Sequence, residues 1–139
     1  MIVYYGERND GFEDLDLVLD AAESLQLAAD LYRNGAIIKC ETVGIDPNPF
    51  DRLLGRVIVR FTSGLVKIQV RNGRDLVFSG GAEALSVLAE NLRNFGELPV
   101  DIRGAKGYHI HIEYYPDDFF LSPDAVPLVV TSKEGRIRS

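Results

Sequence analysis

Asp16-Leu17-Val18-Leu19, followed closely by Ala22-Glu23-Ser24-Leu25, recurs as Asp75-Leu76-Val77-Phe78 followed by Ala82-Glu83-Ala84-Leu85. Each copy passes from a short apolar run to a segment with helical spacing, so each reads as a strand leading into a helix. The helix endings correspond with small shifts, Leu31-Tyr32-Arg33-Asn34-Gly35 against Leu92-Arg93-Asn94-Phe95-Gly96. The repetition has two readings: a duplicated strand–helix–strand–strand unit about half the chain long, or two helices that share one amphipathic recipe. The correspondence breaks after the helices, where direct alignment sets Val57 and Val59 opposite His109 and His111. Both readings give the same class, α+β: an antiparallel or mixed sheet with two helices on one face.

Outward from this repeat, Ile2–Tyr5 is a strand candidate and Asn9-Asp10-Gly11 a turn. Leu15, Leu17 and Leu19 alternate with Asp16, Val18 and Asp20, which is strand periodicity. Asp20 and Glu23 have the spacing of a capping box. The first helix is expected to turn Ala22, Leu25, Ala28, Leu31 and Tyr32 inward and to stop at Asn34-Gly35. Residues 36–43 read as a strand with Ile38 and Cys40 on one face and Lys39 and Glu41 on the other; Gly44–Leu54 reads as a loop. Val57, Val59 and Phe61, then Val66, Ile68 and Val70, alternate across Thr62-Ser63-Gly64 as a hairpin would. Asn72-Gly73 marks a second turn before the strand at Leu76–Phe78. The second helix, about 82–95, carries the stripe Leu85, Leu88, Ala89, Leu92 and Phe95, with Gly96 as its stop. Leu128–Thr131 is the last strand.

The 139 residues are 46% hydrophobic and 26% charged, ordinary globular proportions that fit one domain over 1–131 and a polar, fraying tail over 132–139. No apolar run approaches the roughly 20 residues of a membrane helix, and the N-terminus has no basic start with a long apolar run, so a cytoplasmic protein is expected. Cys40 is the sole cysteine, which excludes an internal disulfide and a multi-cysteine zinc site. Its alternation with the core makes it a small buried apolar residue. The net charge of -6 is concentrated early: residues 1–50 hold ten Asp/Glu against three Lys/Arg. Such acidity argues against nucleic acid and suits either a basic partner or a merely solvated surface.

The one stretch with a chemical signature is Gly107-Tyr108-His109-Ile110-His111-Ile112-Glu113-Tyr114-Tyr115-Pro116. Its alternation puts Tyr108, Ile110, Ile112 and Tyr114 on one face of a strand and His109, His111, Glu113 and Tyr115 on the other. The two histidines, with Cα atoms roughly 7 Å apart on a strand, could share one metal ion. Glu113 lies too far along a regular strand to complete the set, and no third histidine exists. No catalytic set is apparent: Cys40 has no local nucleophile signature, and G-x-S-x-G is absent. Ser79-Gly80-Gly81 could hold an anion at a helix N-terminus but reads better as a tight turn. Arg56, Arg60, Lys67 and Arg71 form a basic strand face without interleaved aromatics, which reads as a solvated surface.

His109-Ile110-His111-Ile112-Glu113-Tyr114-Tyr115-Pro116-Asp117, with Leu121-Ser122-Pro123 and Pro127-Leu128-Val129-Val130 behind it, resembles the C-terminal signature of small bacterial immunity proteins of polymorphic toxin systems. The resemblance is close over about residues 107–130. It implies a cytoplasmic, non-enzymatic inhibitor that binds a cognate protein toxin, with no cofactor, no metal and no membrane; the early acidity suits a basic toxin. The expected partner-binding residues are His109, His111, Glu113, Tyr115, Phe119 and Phe120. Phe119 and Phe120 are too close in a short, proline-bracketed loop for both to be buried, so one packs inward and the other joins Tyr115 beside the histidines. Two readings from other classes stand beside this one. The first is a metal-binding domain or small metalloenzyme built on His109 and His111. The second is a homodimer formed through an exposed sheet edge.

Overall fold

Residues 1–137 are described by the computed structural model, and their strands divide between two mixed sheets. The first sheet is ordered β4 (Arg52–Leu54), β1 (Ile2–Glu7), β2 (Glu13–Leu19), β9 (Leu128–Ser132), β8 (His109–Ile112). The second is ordered β3 (Ile37–Lys39), β5 (Arg56–Phe61), β7 (Asp75–Gly80), β6 (Lys67–Arg71). β1 and β2 form an antiparallel hairpin, β2 runs parallel to β9, and β9 is antiparallel to β8. The same sequence of pairings recurs in the other sheet: β6 with β7 antiparallel, β7 with β5 parallel, β5 with β3 antiparallel.

The chain therefore does contain two alike units, interlocked. Each half supplies a hairpin and a helix, α1 (Ala21–Asp30) or α2 (Ala82–Gly96), then sends two strands into the other half's sheet, β3 and β5 from the first half and β8 and β9 from the second; β4, between β3 and β5, stays in the first half's own sheet beside β1. The unit is strand–strand–helix–strand–strand, one strand longer than the sequence repeat suggested. This crossing also explains why direct alignment broke down after the helices. By pairing position, Ile38 corresponds to Ile110 and Val57 to Val130, each being the partner of Leu76 or Leu17 or of the strand next to it.

The α+β class holds, with two sheets in place of one. The expected hairpin between Val57–Phe61 and Val66–Val70 does not form, because β7 lies between its arms. All six residues of β7 are buried, so the strand requires a neighbour on each side and cover on each face. The Thr62–Leu65 connection passes over the end of β7, with Thr62 N–H donating to Gly80 O at 2.8 Å and Gly81 N–H to Gly64 O at 2.9 Å. A Cβ on Gly80 would meet Val66 Cα at 3.0 Å. The Ser79-Gly80-Gly81 run is thus a close-approach turn whose last amide is already engaged.

The helices pack against each other, and one hydrophobic cluster joins them to the inner faces of both sheets through Leu15, Leu17, Leu19, Leu76, Phe78, Leu27, Leu88 and Leu92. α2 buries the expected stripe Leu85, Leu88, Ala89, Leu92 and Phe95. α1 starts with the expected capping box, Asp20 Oδ1 accepting from Glu23 N–H at 2.8 Å and Glu23 Oε1 from Asp20 N–H at 3.0 Å. Its inward face, however, is Ser24, Leu27, Ala28 and Leu31; Ala22 is exposed, and Leu25 and Tyr32 are 40% and 57% exposed. The repeat explains the error. Burial aligns Leu27-Ala28 with Leu88-Ala89, one residue away from the alignment of Ala22 with Ala82. Small residues make the helix crossing close: Ser24 Oγ donates to Leu92 O at 2.6 Å, and a Cβ on Gly96 would lie 3.0 Å from Leu25 Cγ. Gly96 thus serves packing inside α2 rather than stopping it.

Cys40 is buried, as its pattern suggested, and burial pushes its thiol up to about 11. Of the stretch read as a polar tail, Ser132 closes β9, Lys133–Ile137 forms a short helix, and residues 138–139 lie outside the described residues. Among the described residues no helix is long and apolar enough to cross a membrane.

Candidate functional site

β8 is an edge strand, and that position governs everything the histidines can do. Its inward side chains anchor it: Ile112 is buried, Ile110 packs on the core, and Tyr108 stacks on Phe95 at 5.9 Å. The alternation then forces His109 and His111 onto the outer face of the five-stranded sheet, where both are exposed. Their rings meet edge to face with centroids 5.0 Å apart. His109 Nδ1 lies 2.7 Å from Gly107 O. A carbonyl oxygen can only accept, so Nδ1 donates this bond.

Register places other chemistry beside them. His111 pairs with Val129, Val129 with Asp16, and Asp16 with Tyr4, so these four residues form one row across the outer face. His111, Val129 and Asp16 of this row line a cleft of about 380 Å³, together with Arg8, Phe12, Asp14, Phe50, Glu113 and the apolar Leu15 and Pro127. Phe50 packs on Tyr4 at 5.4 Å and closes the far end. Thr131 Oγ1 donates to Asp16 Oδ1 at 2.6 Å. Arg8 Nη2 bonds Asp10 at 2.7 Å, and Nη1 lies 3.9 Å from Asp14. Asp14, Asp16 and Glu113 thus give the cleft three carboxylates around apolar residues, with Arg8 as the cation among its walls; Glu13 turns its carboxylate to the other face, where it accepts from Tyr5 at 2.8 Å.

Tyr115 donates its hydroxyl to Glu113 at 2.8 Å, and the carboxylate holds the phenol above its ordinary pKa. His109, His111, Glu113 and Tyr115 are therefore contiguous. The neighbouring phenylalanines divide as expected, Phe120 buried and Phe119 75% exposed. Phe119 is not brought to the cleft, however: it lines a separate groove with Leu65, Ala84 and Val87 at the start of α2. The loop turns it there because Val66 N–H donates to Phe120 O at 2.7 Å and Ser122 N–H to Val66 O at 2.8 Å, pinning 120–122 against β6.

Among the described residues, no third His, Cys, Asp or Glu joins the two histidines in a group that could hold a metal ion. The wall residues Arg8, Phe12, Asp14, Asp16 and Phe50 escaped the sequence reading as site residues. The acidic excess of residues 1–50 was the available signal, but only the β2–β9–β8 pairing brings part of it to the histidines.

Residues 75–133 match the family model of immunity protein 32, Imm32. The match extends the C-terminal resemblance back through α2 to the start of β7. It contains every expected partner-binding residue. An immunity family of this kind implies inhibition of a cognate toxin by binding and is generally non-enzymatic. No curated protein and no solved structure matches the chain.

Proposed function

We propose that this chain acts in the cytoplasm by docking a basic toxin on the outer face of β2–β9–β8, over the cleft beside His109, His111, Glu113 and Tyr115. The observation that supports this reading is that the segment matching Imm32 delivers an exposed histidine strand to a cleft lined by Asp14, Asp16 and Glu113. Apolar residues inside a charged rim form the arrangement in which a few anchor residues carry most binding energy. Three carboxylates in one cleft favour a cationic patch on the partner and speed its encounter.

The test is co-expression with the toxin domain encoded by the neighbouring reading frame. The chain should restore growth and form a stable complex with that domain. Glu113→Lys should weaken the complex at least tenfold while leaving thermal unfolding unchanged, since Glu113 is only half-buried and its carboxylate accepts from the exposed Tyr115. A Glu113→Lys, His111→Ala double variant that still protects fully would remove the site from this face.

A further inference from the structure

The edge at β8 offers backbone as well as side chains. Ser132 N–H donates to Tyr108 O at 3.1 Å, and the register sets Ile110 opposite Val130 and Ile112 opposite Leu128. Bonded and non-bonded pairs alternate along an antiparallel ladder. Ile110 and Ile112 therefore direct their N–H and C=O groups to β9, while His109 and His111 turn theirs outward to the open edge.

The other sheet edges differ. The edge at β6 is occupied by the 120–126 segment, through Val66 N–H to Phe120 O and Val126 N–H to Ile68 O at 2.9 Å. β3 and β4 have three residues each, against four in β8. Edge strands are commonly protected by lysine, proline or a bulge, and the His109-Ile110-His111-Ile112 run has neither of those residues.

We infer that the partner of this site adds an extended segment to the sheet, pairing its backbone with His109 and His111 and laying a basic side chain on the outer face against Glu113. The inference rests on the toxin-binding reading and specifies how that partner is held. In strand addition the main-chain bonds supply affinity and alternate side chains supply specificity. The charge decides the occupant: a basic strand is drawn to Glu113 and the carboxylates beyond it, whereas a second copy of this chain carries the same net charge of -6.

The probe is the toxin domain encoded by the neighbouring reading frame, titrated into the intact chain. On binding, the His109 and His111 amides should gain at least tenfold protection from hydrogen exchange, while Ile110 and Ile112 are protected beforehand. His111→Pro removes one outward N–H and no bond to β9, a position where an edge strand tolerates proline; it should weaken binding at least tenfold. His111→Ala keeps that N–H and should lose less. A complex in which the His109 and His111 amides exchange as in the free protein overturns strand addition and leaves toxin binding intact. If His111→Pro unfolds, the amide measurement decides alone. Failure of the domain to bind at all overturns both readings. Protection that arises in the free chain with a doubling of mass assigns the edge to a second copy and overturns the basic-strand inference.

Discussion

Interlocking of the two halves makes their stabilities inseparable, and truncating one leucine in each half tests this. Leu27 in α1 and Leu88 in α2 hold corresponding places and are both fully buried in the shared cluster. Leu→Ala removes three carbon-sized groups, about 2.4 kcal/mol at roughly 0.8 kcal/mol each. A partly relaxed cavity of about 60 Å³ adds roughly 1.4 kcal/mol at about 24 cal/mol per Å³. Each variant should therefore lose about 4 kcal/mol. With an unfolding entropy of about 0.29 kcal/mol/K for a chain of this length, Tm should fall by about 13 °C in both. Calorimetry with circular dichroism reads the result, and each variant should show one transition whose calorimetric and van't Hoff enthalpies agree. The decisive point is the shape. Were Leu27→Ala to melt in two steps, one of them at the wild-type temperature, α2 and its sheet would be stable alone and the interlocking would carry no energy.

Three further outcomes follow from particular side chains. Asp75 is buried and receives two bonds from Arg56, at 3.0 and 2.9 Å, and this partner holds its carboxyl below the ordinary value. A lowered native pKa stabilises above the unfolded value, about 3.9, and the contribution disappears as pH falls through the native one; Asp75→Asn should flatten the loss of stability with acid below about pH 4, and an unchanged acid profile would refute the assignment. Phe120→Ala should cost about 3 kcal/mol or more as a core truncation, whereas Phe119→Ala should change stability by less than about 0.5 kcal/mol, as urea titrations would show; equal losses would contradict their division between core and surface. Cys40, its thiol pushed up to about 11 by burial, should resist a thiol reagent at pH 8 in the native chain and react at once in denaturant, and rapid native labelling would show the site to be open.

The sequence carried local structure well where a signal was local. The capping box at Asp20 and Glu23, the α2 stripe and the alternation of β8 were all legible because each depends on residues within one or two turns. What could not be read was partnership. Val57-Val59 and Val66-Ile68 have ideal hairpin alternation, and nothing in either run announces that β7 will separate them. The only hint was β7 itself: Leu76-Val77-Phe78 is apolar without alternation, as a strand covered on both faces must be. The face of α1 was lost for a subtler reason. Ser24 sits at the centre of its buried face because a small hydroxyl there can reach Leu92 O across the crossing, and a hydrophobic count shifts the stripe toward Leu25 instead. The candidate site divided in the same way. His109 and His111 were legible as one face of one strand, whereas Glu113 and Tyr115 follow it beyond Ile112, where β8 ends; the carboxylates of β2 were not legible, since they reach the histidines only through β9.

That last pairing ties the matched segment to the rest of the chain. Residues 75–133 hold β7, α2, β8 and β9, yet β9 and β8 do not lie in the sheet of β7. They are seated on β2, which lies outside the match. The matched segment therefore cannot present its histidine edge without the first half of the chain, and the β3–β5 pair in turn loses its seat in the second sheet without β7. Function follows the same crossing. Of the three carboxylates in the cleft, Glu113 belongs to the matched segment, while Asp14 and Asp16 come from β2. The strand that would bind backbone and the residues that would select charge thus occupy different halves, held in register by five parallel pairs between β2 and β9. Substitutions on the outward positions of β2 can alter the charge that the site selects without disturbing the inward leucines Leu15, Leu17 and Leu19, which face the core from the same strand. Partner choice can change there while the edge that receives the partner stays the same.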